Sequence, residues 1–311
     1  MLPTFAVVLP IFALILAGWL TRRMGVLGPH ATTELNRFVV CLALPALLFD
    51  IIAHARWADV WQPGFVATFG LGVALTFALT VAIRLRRPRH LADAAIDGLN
   101  AGYPNTGFMG FPLALAALGP QAMPSTLVAT IITVCGVFAV AIVLIEAGLQ
   151  TEKRPHHLVL KVGGSLARNP LLVAPLLGAL VPIAGLGIPA PVESFLKLMG
   201  GAASPCALVA LGLFLAADRE RARRDVGSAA LLVLFKLGLQ PLVTWGLAKF
   251  VFGLSPLLTH TAVLLAALPT GTGPFMLAEF YRREADITSN VVLASTIASI
   301  LTVSAYLAIA V

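Results

Sequence analysis

The sequence predicts an all-α integral membrane protein: ten transmembrane helices in two inverted five-helix repeats, with helices 4 and 9 broken and crossed. Three observations carry this. Hydrophobic residues are 59% of the 311-residue chain and charged ones 11%, with mean hydropathy +0.95, where a soluble domain carries roughly a quarter charged residues. Apolar runs of about 20 residues, each long enough to cross a bilayer, recur along the whole length. Two of these runs are interrupted at mid-length in nearly the same way, about 165 residues apart. One reads Gly102-Tyr103-Pro104-Asn105-Thr106-Gly107-Phe108-Met109-Gly110-Phe111-Pro112, the other Leu268-Pro269-Thr270-Gly271-Thr272-Gly273-Pro274-Phe275-Met276.

The spans fall at roughly residues 2–21, 33–54, 60–84, 93–117, 122–147, 167–186, 191–217, 226–252, 256–280 and 287–309. The first has no basic residue before it, and Arg22 and Arg23 follow. A cleaved signal peptide shows the opposite charge order, so the run reads as a first transmembrane helix with its N-terminus outside. Loops after odd-numbered spans hold 16 of the 21 Lys and Arg residues, whereas the even-numbered connections hold only Arg56. By the positive-inside rule the odd loops are cytoplasmic and both termini face outward.

The longest loop, 149–167, separates a first repeat (1–150) from a second (151–311) within one membrane domain. Five spans per repeat force the second to insert upside down. Local echoes agree: Pro45 with Pro205, Pro10 with Pro175, and Thr106 with Thr272, at offsets of 160, 165 and 166 residues.

The interruptions are the first candidates for a site. Proline removes an amide donor and glycine loosens what remains, so a helix broken at membrane depth needs protein or a wet cavity to receive its freed backbone groups. A matched pair of such breaks points to the binding site of a secondary transporter. Spans 4 and 9 run in opposite directions, so their breaks meet near the midplane. Two half-helix N-termini converging there make a site for an anion without a formal positive charge. The candidate binding residues are Pro104, Asn105, Thr106, Gly107, Pro269, Thr270, Gly271, Thr272, Gly273 and Pro274. Asn105, Thr106, Thr270 and Thr272 offer side-chain donors, and Gly107, Gly271 and Gly273 let backbone approach a ligand.

Pro45, Ser204, Pro205 and Lys236 form a second tier of cavity-lining candidates. Lys236 lies about ten residues into span 8. It either attracts an anion or neutralises a carboxylate, or its stem carries the ammonium to the cytoplasmic surface. Asp50 with His54, Asp93 with Asp97, Glu146 and Glu279 read as interface charges. Glu193 and Lys197, at i and i+4, read as a pair.

Other classes lack support. The net charge of +7 sits in short loops, an orientation signal rather than a nucleic-acid footprint. Cys41, Cys135 and Cys206 have no metal or redox spacing, and the adjacent His156 and His157 share no helical face. The run from Asp218 to Arg224 is explained by topology and lipid head groups. No catalytic, nucleotide or cofactor motif is present, so neither an enzyme nor a bound cofactor is expected.

These segments resemble the auxin efflux carrier family, including bacterial members described as permeases or malonate carriers. The resemblance covers nearly the whole chain. It is carried by Leu44-Pro45-Ala46-Leu47-Leu48-Phe49, Asn105-Thr106-Gly107-Phe108-Met109-Gly110-Phe111-Pro112, Pro205-Cys206-Ala207-Leu208-Val209-Ala210-Leu211-Gly212, Leu268-Pro269-Thr270-Gly271 and Ala278-Glu279-Phe280-Tyr281. It implies a scaffold part and a transport part, elevator-type movement of a small organic anion, and a homodimer. It also implies that Pro104, Asn105 and Pro269 frame the substrate. Relatives often place an asparagine or another small residue after the Pro-Thr-Gly element, whereas Thr272-Gly273-Pro274 stands here.

The expectation is therefore a secondary carrier of a small carboxylate in a bacterial inner membrane, moving alone or with H+ or Na+. A sodium- or proton-coupled carrier of the same fold for another solute is the first alternative, a channel the next, and a membrane-embedded enzyme the most remote. A cation carrier would call for acidic residues near the breaks, and none lies within a few residues of Asn105 or Thr272.

Overall fold

The computed structural model describes residues 2–54, 61–86, 88–150, 163–164, 166–217 and 226–310. Arg56, Arg87, Lys153, Arg154, the His156-His157 pair, Lys161 and the 218–224 charge run lie outside them. Among the described residues the protein is all helix with no strand. In chain order we name α1 (Leu2–Arg23), α2 (Ala31–Ala53), α3 (Pro63–Leu85), α4 (Leu91–Gly102), α5 (Thr106–Leu118) and α6 (Pro120–Leu149). Then follow α7 (Pro170–Ile183), α8 (Ala190–Gly201), α9 (Ala203–Ala217), α10 (Gly227–Val251) and α11 (Pro256–Ala266), α12 (Gly273–Phe280) and α13 (Ala285–Ala310). Six helices among the described residues are long and apolar enough to cross a membrane: α2, α3, α6, α8 running through into α9, α10 and α13.

Prolines set the local irregularities. Pro45, Pro112 and Pro241 each lack the amide that would close an α-turn. Each is preceded by a wider π-turn, at Val39–Ala43, Thr106–Gly110 and Phe235–Leu239. Pro205 acts in the same sense at Ala202, where α8 passes into α9 through a bend.

The helices pack in two groups. In one, α1 lies on α9, and α2 is embraced by α7, α8 and α9. Glycines bring these backbones together: a methyl on Gly18 would stand 2.2 Å from the Val209 carbonyl, on Gly212 2.0 Å from that of Ile15, and on Gly178 2.7 Å from that of Phe49. Small residues at helix crossings serve membrane packing, where apolar burial between helices gives no drive. The second group packs α3 on α4, α4 on α6, and α10 on α3, α11 and α13, with α5 against α6 and α11 and α12 against α4 and α13. Buried Phe65, Phe69, Phe77, Ile96, Leu99, Phe138 and Ile142 belong to its core.

At one end of the second group, charges tie the start of α4 to the turn after α12. Asp97, expected at the interface, is fully enclosed and takes Arg84 Nε at 2.6 Å and Arg89 Nε at 3.2 Å. Arg283 donates to both Asp93 oxygens, at 2.5 and 2.9 Å, and Arg89 also pairs with Glu284. Burial, and then the Asp97 charge, push the Glu284 carboxyl up to about 7 against the pull of Arg89. In the first group Lys197 pairs with Glu193 on α8 at 2.5 Å, and His54, at the end of α2, lies 3.0 Å from Asp50.

Candidate functional site

Tyr103 precedes proline, which drives it out of helical geometry to φ −113°, ψ 86°, and α4 stops at Gly102. Asn105, at φ −77°, ψ 57°, makes a tight turn in which the Thr106 amide donates to the Pro104 carbonyl at 2.8 Å. The chain then re-enters a helix through the π-turn of α5. In the other interrupted segment α11 ends at Ala266 and helix resumes at Gly273. Pro274 falls in the first turn of α12, where its missing amide costs no bond.

The two interruptions cross as extended chain. Pro104 and Thr270 form an antiparallel bridge, with the Asn105 amide donating to Pro269 O at 2.8 Å and the Gly271 amide to Tyr103 O at 3.0 Å. Groups behind the crossing take up the helix ends. Thr270 Oγ1 donates to the Asn100 carbonyl at 2.7 Å, and its amide donates to Ser295 Oγ at 3.1 Å. Asn100 Nδ2 in turn donates to Thr288 Oγ1 at 2.9 Å. Lys236 Nζ donates to the Ala266 carbonyl at 2.7 Å.

A cavity of about 350 Å³ opens beside the crossing, between the two packing groups. The second group contributes Tyr103 through Phe108, Phe111, Thr130, Val134, Thr272, Gly273 and Met276. The first contributes Val39, Leu44, Leu47 and Ile51 from α2, and Gly200, Gly201, Ala203, Ser204, Pro205 and Ala207 from the α8–α9 bend. None of these residues is charged. The first amides of α5 and α12 have no partner inside their own helices, and Thr106, Gly107 and Gly273 stand at those starts on the cavity wall. The Asn105 carboxamide makes no hydrogen bond to a described residue, and buried Thr106 Oγ1 also lacks a partner. The cavity thus has apolar walls, a few uncommitted donors at one end and two helix N-termini, the chemistry of a small polar or anionic guest.

Of the residues singled out in the sequence, Pro104, Asn105, Thr106, Gly107, Thr272, Gly273, Ser204 and Pro205 line this cavity. Pro269 and Thr270 hold the crossing from behind, and Pro274 starts α12. Gly271 is packed beneath Tyr103, where a methyl would stand 2.9 Å from the ring. Pro45 shapes α2 without lining the cavity. Lys236 neither lines it nor reaches the surface: it is fully enclosed, with its amino group on the end of α11. The spacing of Lys236 along span 8 gives no sign of this, because the partner is a backbone carbonyl in another helix.

Sequence reasoning passed over Tyr103, although it stands inside the first interrupted motif. Its ring packs against Phe138, centroids 5.5 Å apart, and covers Gly271 and Gly273. It also passed over the apolar wall from α2, whose residues look like any lipid-facing stripe in one dimension.

The chain is similar in sequence to known transport proteins. A protein of Rhizobium meliloti (strain 1021) named "Putative malonate transporter" is 31% identical over 302 residues, 96% of this chain and 93% of its own length. An "Uncharacterized transporter" of Methanothermobacter thermautotrophicus is 27% identical over 301 residues, 94% of each chain. Auxin efflux carrier component 6 of Arabidopsis thaliana is 32% identical over 143 residues, 45% of this chain and 25% of its own. The model of the family described as "Membrane transport protein" matches residues 3–307. With nearly its whole length matched, this multi-pass chain belongs to the membrane transport protein family, that of the auxin efflux carriers.

Proposed function

We propose that the protein is a secondary carrier of a small carboxylate of the malonate type, working by elevator-type alternating access. The observation that carries this is the cavity at the crossing: two helix N-termini and a free Asn105 carboxamide meet there, with no acidic side chain on its wall. An anion is stabilised by such an end and a cation is not. The name of the Rhizobium relative supports malonate as the first compound to try.

The topology that goes with this reading is ten spans in two inverted repeats, with both termini outside a bacterial inner membrane. Two structural relations support it. Gly18 approaches the Val209 carbonyl as Gly178 approaches that of Phe49, with both partners shifted by the 160 residues of the Pro45–Pro205 echo. The crossing is centred on Pro104 and Thr270, 166 residues apart like Thr106 and Thr272. In this scheme the second packing group carries the site. It slides along the small and aliphatic surface of α2, α8 and α9, and the first group anchors a homodimer. H+ or Na+ drives the movement if transport is active.

The test is counterflow in proteoliposomes with a panel of mono- and dicarboxylates, with and without proton and sodium gradients. Saturable exchange of at least one small carboxylate is expected. Absence of exchange across the panel, with correctly folded protein, overturns the reading.

A further inference from the structure

At the crossing each interrupted helix presents two ends of opposite sign. The starts of α5 and α12 favour an anion, but the carbonyl ends of α4 and α11 oppose it, each with about half an elementary charge. The two carbonyl ends are treated differently. Asn100 O, near the end of α4, receives the neutral hydroxyl of Thr270 at 2.7 Å. Ala266 O, the last of α11, receives an N–H of the Lys236 amino group at 2.7 Å.

Lys236 is fully buried, and among the described residues no carboxylate lies within ion-pairing distance of it. One turn along α10, both polar atoms of the Gln240 carboxamide are buried without a partner, so the neighbouring side chain supplies no counter-charge. A proton on this enclosed amine therefore has only the partial negative end of α11, and whatever anion the site holds, to balance it. Ala266 is three residues before Pro269, whose carbonyl is bonded to the Asn105 amide. The Lys236 amino group thus holds the helix end that leads into the crossing and does not line the cavity.

We infer that Lys236 is protonated when an anion occupies the site and is the positioning residue that makes this site select by charge: it cancels the repulsive end of α11, and the bound anion completes its balance. The inference rests on the carboxylate reading above and gives the second interruption the work of setting charge preference. It explains how a cavity with no charged wall holds an anion. Lys236 touches neither cavity nor guest and acts only through its field. At about 10 Å and an effective dielectric of roughly 20, one unit charge alters a monoanion's binding constant by roughly tenfold and a dianion's by roughly a further tenfold.

The experiment measures competition of malonate and of monomethyl malonate against a transported carboxylate, in wild type, Lys236→Met and Lys236→Arg. Lys236→Met is expected to weaken malonate about tenfold more than its monoester, while Lys236→Arg keeps the wild-type ratio. A folding defect lowers both compounds together and leaves their ratio unchanged. An unchanged ratio in Lys236→Met overturns the charge role while the carboxylate reading stands. So does an arginine variant that keeps transport but loses the preference for the dianion, and this arm decides the matter if the methionine variant does not fold. Failure of wild type to recognise either compound or any other carboxylate overturns the carboxylate reading instead.

Discussion

The two interrupted helices share a plan and divide the chemistry. In the first, an extended Tyr103-Pro104-Asn105 segment and a π-turn place side chains on the cavity: the Tyr103 ring, the Asn105 carboxamide and the Thr106 hydroxyl. In the second, Thr270 turns away to hold Asn100 and Ser295, Gly271 is covered, and Thr272 and Gly273 are what remain on the wall. The first segment has the free donors and the second the crossing's support, with the buried Lys236 amino group on the helix end that leads into it. Two interruptions joined by one antiparallel bridge thus carry an asymmetric site: the bridge fixes only main chain, and side chains are free to diverge.

The largest effect that tests this division belongs to Asn105. Asn105→Ala removes a free carboxamide from the cavity, and a hydrogen bond to a charged group contributes about 1.5–3 kcal/mol. Transport should fall about 10–100-fold with unchanged folding, whereas Thr272→Ala should cost only a few-fold. Initial rates in proteoliposomes decide it, and equal losses would break the asymmetry.

Next in size is the support role of the second segment. Thr270→Val keeps the shape but removes the donor to Asn100 O, leaving a fully enclosed carbonyl unpaired. That costs about 1–3 kcal/mol, visible as a lower midpoint of thermal unfolding in detergent. An unchanged midpoint would mean that the crossing does not depend on this bond.

Glycines sharpen the contrast further. A methyl at Gly271 would press on the Tyr103 ring at 2.9 Å, whereas at Gly107 its nearest neighbour is Thr130 Cγ2 at 4.0 Å. Gly271→Ala should destabilise by about 1–3 kcal/mol, as overpacking does. Gly107→Ala should leave folding within about 0.5 kcal/mol and change transport instead, because Gly107 faces the cavity. Thermal midpoints of the two variants, side by side, give the answer.

Much of this was legible in one dimension because proline and glycine act locally. Pro104 and Pro269 mark the interruptions, since their consequences need no distant partner. The membrane class follows from composition, and the family from Asn105-Thr106-Gly107-Phe108 and Pro269-Thr270-Gly271. What was hidden depends on long-range pairing. Lys236 finds a carbonyl 30 residues away, and Thr270 one 170 residues away. Asp97, which reads as a surface charge at the start of its span, is enclosed because Arg84 and Arg89 fold over it. The wall from α2 was illegible because leucines facing a cavity and leucines facing lipid look alike.

The smallest effect concerns the charged ends that tie the two interrupted helices together. Arg283 and Glu284 follow α12, and Asp93 and Asp97 open α4, so this cluster couples the segments at a distance from the crossing. Glu284 ordinarily titrates near 4.5 and is pushed up to about 7 here. A carboxyl raised in this way holds its proton more tightly in the folded state. Its contribution to stability is full below about 4.5 and is lost as pH rises through about 7. Because the side chain keeps some solvent contact, the loss should be about 1–2 kcal/mol rather than the full linkage value. Glu284→Gln should flatten the dependence of the unfolding midpoint on pH between about 5 and 8, leaving the wild type less stable at the upper end. If wild type gains stability over that interval, the Arg89 pair outweighs burial, and α12 is held to α4 by attraction rather than in spite of an enclosed charge.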